Sequence, residues 1–429
     1  MKKILSIVLV LVLSMSLLAI TASADEPVTI QVRSGWVEAN LPNWRAECAK
    51  FEEANPGIKI DLEFTPAGED SMAKLKAEFM SGSAPDIVQA WKTYFNEYVD
   101  AGLVLDLSDM YAANGWTTPD IYGGVRAWCA KLEDARNDQA LVYGVPDFIN
   151  TSVIFYNTKI FEKYNLKEPT NLDELIAVSK TLKENGIRPL AYPGKANNIC
   201  DLYAKIQCQT AGLQTLLDIN TGKDTFMNAG MLQAAQIVEK LAKEGVLDPA
   251  FITYDEDQCV QAFARGEAAM FSMHTAYDKA LQDAKAANPD FDYSVIKGIN
   301  FVDKPIVEYS ATYGGCWMIP ASTKHPEEAK KVLSFLFGKE MATPAASENG
   351  RITMFPEANK GITAPAIKVV VDNQLAKCSP ESFYLIDMVP SKVLDNLKFG
   401  LQELISGNVT PEQMMQEAQK TMDIVLSEK

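Results

Sequence analysis

Histidine is almost absent from this chain: its 429 residues include only His274 and His325. That scarcity removes much hydrolytic chemistry at the outset. A zinc hydrolase needs more than one imidazole, and no H-E-x-x-H occurs. A Ser-His-Asp triad would have to use His274, because His325 precedes Pro326 at a helix start and reads as a surface residue. No G-x-S-x-G elbow accompanies it. Gly123-Gly124 and Gly314-Gly315 lack the spacing and the Lys of a phosphate loop. Asp255-Glu256-Asp257 lacks the alternation and the Gly of a calcium loop, and reads as a solvated helix start. The paired carboxylates of a glycoside hydrolase stay open, since 56 acids form many pairs by chance.

Positive charge is also short. Lys and Arg number 40, and the net charge is −16. Nucleic acid and anionic lipid are therefore disfavoured as partners, because phosphate neutralisation needs a basic face. The seven cysteines are an odd number with no C-x-x-C and no zinc spacing. They read as buried thiols rather than a disulfide framework. A Cys200–Cys208 bridge would not fit the helix expected there. Cofactor and metal motifs are missing, as are solenoid repeats and low-complexity tracts. Only one apolar run is long enough to approach a membrane span, residues 4–20. It follows Met1-Lys2-Lys3 and precedes Ala22-Ser23-Ala24, so residues 1–24 read as a secretory signal peptide. An uncleaved anchor is the alternative. No Cys stands at the cleavage site, so a lipoprotein anchor is not expected. Loss of a leader with two Lys and no acid deepens the charge to −18.

What remains is a globular composition, 47% hydrophobic and 22% charged, in a chain long enough for two α/β lobes. Strands are expected over 28–32, 58–64 and 86–90, with helices over 41–55, 70–80 and 93–101 between and after them. That alternation predicts a parallel sheet covered by helices. Ligands of such sheets bind beyond the carboxyl ends of the strands, where Trp36 and Trp91 stand. Each is a candidate stacking platform for a sugar ring, or else a core residue. Residues 143–157 read as two short extended runs joined by polar residues. Pro146 bars a helix, Val153-Ile154-Phe155-Tyr156 suits a strand buried on both faces, and Asn157 suits a helix cap. The stretch is either a crossing between two lobes, with Asp147 to Asn150 facing a cleft, or a strand–turn–strand within one domain. Further on, helices are expected from Thr170 as N-cap to Asn185-Gly186, over 201–210 with Gly212 ending it, and over 226–243 and 255–265. Strands are expected over 187–192, 266–271 and 291–296, a further extended segment over 307–320, and helices near 324–337, 364–376, 392–406 and 410–427.

Several segments, in this order, resemble the extracellular solute-binding proteins of ABC-type carbohydrate importers, the group that includes maltose-binding-like proteins. They are Gly82-Ser83-Ala84-Pro85-Asp86, Tyr143-Gly144-Val145-Pro146 with Phe155-Tyr156-Asn157, Phe263-Ala264-Arg265-Gly266-Glu267-Ala268-Ala269-Met270, and Gly314-Gly315 followed by Ile319-Pro320 and His325-Pro326-Glu327-Glu328-Ala329. The resemblance runs from about Val28 to the C-terminus. It implies an α/β, two-lobe periplasmic-binding-protein-like fold with a hinge and an interlobe cleft. The N-terminal lobe would take 25–146 plus 304–340, and the C-terminal lobe 147–303 plus 341–429. The implied ligand positions are Trp36, Asp86, Trp91, Asp147, Asn150, Tyr277, Tyr313 and Gly314, with Arg351 in a late loop that often reaches the cleft. Trp36, Trp91 and Tyr277 would stack on rings, Tyr277 standing near where the family often has a Trp. Asp86, Asp147, Asn150 and Arg351 would bind hydroxyls. The implied function is a non-enzymatic receptor for a mono- or oligosaccharide, periplasmic or at the cell surface, monomeric, without cofactor or nucleic acid, delivering to ABC transporter permease subunits. The alternatives are the same fold with a peptide, polyamine or metal chelate as ligand, and a secreted carbohydrate-active enzyme.

Overall fold

Among the described residues, ten strands form two sheets: β1 (Val28–Ser34), β2 (Ile58–Phe64), β3 (Ile87–Ala90), β4 (Val145–Pro146), β5 (Asn150–Asn157), β6 (Arg188–Ala191), β7 (Ala268–His274), β8 (Tyr293–Val295), β9 (Ala311–Thr312) and β10 (Cys316–Met318). The structure, a computed structural model, describes residues 26–35, 44–65, 69–117, 120–134, 137, 139–309, 311–312, 315–377 and 385–428. Strict alternation buries Ile30, Val32 and Ser34 of β1, and the two strands pair in parallel with Val28 opposite Ile58. β3 is buried at all four positions and pairs in parallel with β1. The helix Trp44–Ala54 lays Trp44, Cys48 and Phe51 on this sheet. Trp44 meets Trp317 of β10 at 5.4 Å.

The first sheet runs β2-β1-β3-β10-β4, and the second β6-β7-β5-β8 with β9 on β5. The parallel arrangement expected from the βαβ alternation holds for β1, β2 and β3. β10 joins β3 and β4 antiparallel, and β5 is antiparallel to β7, β8 and β9. β5 and β10 enter their sheets from the crossings rather than through a covering helix, which frees them from the parallel rule.

The crossings lie side by side. Asp147 N–H donates to Gly315 O at 3.0 Å, Asn150 pairs with Thr312, and Ile149 N–H donates to Ile352 O at 2.7 Å. Three stretches of chain thus pass between the sheets at one place. Tight packing holds the first. A Cβ on Gly144 would fall 2.4 Å from Cys316 Sγ and 2.9 Å from Trp317 O, so no side chain fits there. Residues 352–359 lean back on the first sheet's side: Tyr122 N–H donates to Met354 O at 3.0 Å, and Phe355 packs edge-on to Trp116 at 6.1 Å.

Side-chain caps set several helix starts. Asn157, Asp255 and Thr410 each accept a backbone N–H, the last two in capping boxes. Asp255 to Asp257 is therefore the start of the helix Glu256–Ala264. The long helix Leu172–Glu184 is capped by Asn171 rather than Thr170, whose N–H and hydroxyl bond Glu174 instead. Gly212 adopts the expected left-handed turn, φ +69°, but leads directly into a further helix, Gly212–Asn220. The extended segment expected over 307–320 forms the short strands Ala311–Thr312 and Cys316–Met318, while 307–309 stay outside them. The carbonyl of Glu308 is engaged by Gln209 Nε2 and that of Val307 by the Cys208 thiol, so the chain there pairs with a helix. The helix Lys339–Asn349 contains Pro344, a residue that reads as a break in sequence. Cys48, Cys129, Cys200, Cys208, Cys259 and Cys316 are free and buried; Cys378 lies outside the described residues.

Candidate functional site

Ile87-Val88-Gln89-Ala90 is apolar except for Gln89, which is 7% exposed. A buried amide needs partners. Gln89 Oε1 accepts from Gly35 N–H at 2.6 Å, and Nε2 donates to Asp147 Oδ2 at 2.6 Å. Gly315 permits the approach, since a Cβ there would sit 2.5 Å from Gln89 Nε2. Gly315 also accepts the Asp147 N–H. The crossing residue Asp147 is thus buried and oriented by both a side chain and a backbone bond.

Arg351 completes the array. Its guanidinium lies over the Phe148 ring, 5.1 Å from the centroid. Burial draws its pKa below the ordinary value, and the Asp147 carboxylate opposes that shift. Asn150, buried at the start of β5, lines a cavity of about 20 Å³ with Phe148, Thr275, Asp278 and Arg351. A cavity of about 30 Å³ lies against Trp44, Pro146, Asp147 and Thr353. Neither admits a sugar ring; each is a seam behind the array on the scale of one or two waters.

Trp91 follows β3 directly and is 39% exposed, a large indole facing solvent two residues from Gln89. Its nearest ring is Tyr94, 6.2 Å away and tilted. The structure therefore groups Trp91, Asp147, Asn150 and Arg351 around the crossing.

Other expected residues fall elsewhere. Asp86 is a correction. It stands at the opposite end of β3 from Trp91, and both of its oxygens are engaged, Oδ2 by Gln31 N–H at 3.0 Å and Oδ1 by the Thr323 hydroxyl at 2.6 Å. It ties β1 to the loop after β10. Tyr277 is half-buried on the turn Thr275–Tyr277, edge-on to His274 at 5.2 Å. Burial, then the carboxylates of Glu256, Asp257 and Asp255, raise its hydroxyl pKa. Its hydroxyl thus neighbours the start of the helix Glu256–Ala264, while Thr275 and Ala276 line the cavity with Arg351. Trp36, Tyr313 and Gly314 lie outside the described residues.

Sequence reasoning passed over Gln89, although a lone amide in an apolar strand is a readable signal. It also passed over a buried polar group in the second sheet. Ser152 Oγ donates to Asp201 Oδ1, Lys205 pairs with Asp201, and Lys205 Nζ donates to Ser272 Oγ at 3.0 Å. His274 sits opposite Ser152 in the β5–β7 ladder, with its Nδ1 sealed from solvent and without a partner. The Ser152 hydroxyl donates to Asp201 and the Ser272 hydroxyl accepts from Lys205, and no serine hydroxyl bonds His274 among the described residues. No cluster of three metal-ligating side chains occurs among the described residues, and none of their helices is long and apolar enough to cross a membrane.

The family model of the bacterial extracellular solute-binding proteins matches residues 36–343. A binding protein of Brucella abortus is 22% identical over 97% of each chain. The diacetylchitobiose binding protein of Streptomyces coelicolor is 25% identical over 77% of this chain and 73% of its own. A solved structure described as a chitin oligosaccharide binding protein superposes with a TM-score of 0.76, at 21% identity, over 93% of this chain and 99% of the other.

Proposed function

The chain belongs to the bacterial extracellular solute-binding proteins, and from that premise we propose that it captures a mono- or oligosaccharide between two lobes and passes it to the permease subunits of an ABC importer. The observation that carries this reading is the exposed Trp91 beside the buried array of Gln89, Asp147 and Arg351 at the chain crossing. An indole face packs on the C–H face of a sugar ring, and fixed carboxylate, amide and guanidinium groups bind its hydroxyls. The relatives named for diacetylchitobiose and chitin oligosaccharide support a sugar of this kind. Arg351 places a cation in the array and argues against a polyamine.

We assign the lobes to 25–146 plus 304–340 and to 147–303 plus 341–429. β9 pairs with β5 across this division and residues 352–359 reach back to Tyr122, so the joint is a bundle of three crossings. Closure of the lobes is the event that ligand would favour, because only the closed state offers contacts from both sides. The protein would work as a monomer outside the cytoplasmic membrane, without catalysis.

A thermal-shift screen of residues 25–429 against sugars, polyamines and peptides tests this. A sugar at 100-fold its dissociation constant should stabilise the chain by about 2.7 kcal/mol and be recovered unchanged. A polyamine or peptide hit without a sugar hit would overturn the sugar assignment. A sugar converted to product would replace the receptor with an enzyme.

A further inference from the structure

Lys92, the residue after Trp91, is 4% exposed. Its ammonium is held by Trp128 O and, at 3.5 Å, by Ala130 O, and lies over the rings of Phe95 at 4.3 Å and Trp128 at 5.0 Å. Among the described residues it forms no ion pair. A buried cation satisfied only by carbonyls and rings strongly attracts any carboxylate able to approach.

One carboxylate approaches from the other lobe. The short helix Leu385–Met388 belongs with the second sheet's helices: Asn220 Nδ2 donates to Met388 O at 2.8 Å, and Leu385 and Met388 are buried. From that helix Asp387 faces the first lobe. Trp128 Nε1 reaches Asp387 Oδ2 at 3.4 Å, and Asn96 Nδ2 reaches Asp387 O at 3.5 Å. Burial draws the Lys92 pKa below its ordinary value, and Cys316 and Cys129, then the carboxylates of Asp387 and Asp100, oppose that shift. Both hydrogen bonds are long, against an ordinary value near 3 Å. The contact is engaged but not tight, so a small further closure would shorten it.

We propose that Asp387 is an affinity-setting residue that does not touch ligand: it bridges the lobes to the Lys92–Trp128 pair and stabilises the closed state. The assignment rests on the reading that the lobes open and close. Lys92 adjoins Trp91, so ligand stacked on the indole and Asp387 at the latch act on the same turn of the helix Lys92–Asp100.

Small-angle scattering of the ligand-free full mature chain tests the latch without a known ligand. Asp387→Asn and Asp387→Lys step the charge facing Lys92 from negative to neutral to positive. The radius of gyration should increase in that order, and added salt should shrink the differences. Trp128→Phe, which keeps the ring and loses the donor, should also increase it, and serves if the Asp387 variants fold poorly. With a sugar from the screen, Asp387→Asn should release ligand roughly fivefold faster or more, with little change in association rate. Superimposable scattering profiles, or a change that ignores the order of charge, would overturn the latch. Failure of every sugar would leave the scattering result to decide it, and would overturn only the sugar reading.

Discussion

At the scale of single residues, Trp91 is the sharpest test. It is an aromatic at the crossing that is 39% exposed, so ligand can reach its open part while the rest packs on the protein. Trp91→Ala should therefore cost about 1–3 kcal/mol of ligand binding, measured by titration calorimetry, with a smaller loss of ligand-free stability. An equal loss of stability would mark Trp91 as core. His274 makes a second prediction. Burial lowers its pKa to about 4, with Asp201 opposing and Lys205 adding to the shift. Folded imidazole stays neutral while the unfolded chain takes a proton below its ordinary pKa of about 6.5. Stability from this residue is thus full above that value and lost as pH falls towards 4. His274→Gln should flatten the fall in melting temperature between those limits; a parallel fall in both proteins would remove the effect. What the sequence made legible here follows from chemistry. Asp147 and Asn150 were readable as polar residues in a stretch that Pro146 bars from being helical, whereas Arg351 came only from the family resemblance. Asp86 misled because a carboxylate before a strand serves equally as a backbone acceptor, and only the position of Gln31 and Thr323 decides between the two uses.

At the scale of elements, helix starts were the most readable feature, since a cap is a local device. Asn157, Asp255 and Thr410 needed nothing beyond their next three residues. Asp255→Ala should lower stability by about 0.5–2 kcal/mol in urea unfolding, and calcium should not alter the wild-type midpoint. A calcium-dependent midpoint would restore the metal reading of Asp255 to Asp257. The unreadable elements depend on distant partners. The extended segment expected from Val307 forms no strand over 307–309 because Gln209 and Cys208, a hundred residues earlier, engage its carbonyls. The helix Lys339–Asn349 was hidden because Pro344 removes a donor that local reasoning assumes the helix needs.

At the scale of the whole molecule, the crossing decides how the lobes move. A single covalent linker would let them swing freely. Here the Asp147–Gly315, Asn150–Thr312 and Ile149–Ile352 pairings tie three strands of chain together at one joint. Such a joint should bend about one axis more readily than it slides, so opening is expected as a hinge motion of two rigid bodies. Local sequence reading left the first crossing open between a passage from lobe to lobe and a strand–turn–strand within one domain, on Pro146 and the polar run after it. The return crossings were legible only through family resemblance, since Ala311–Thr312 is too short to announce itself and Ile352 carries no signal of its neighbour. Ligand energy is then spent on the rotation rather than on ordering a linker, and affinity should track the degree of closure. Saturating sugar should reduce the radius of gyration in solution scattering while leaving far-ultraviolet circular dichroism unchanged. Binding with an unchanged radius would mean that the lobes are already closed without ligand, and that selectivity lies in the walls of a preformed site instead of in the closing motion.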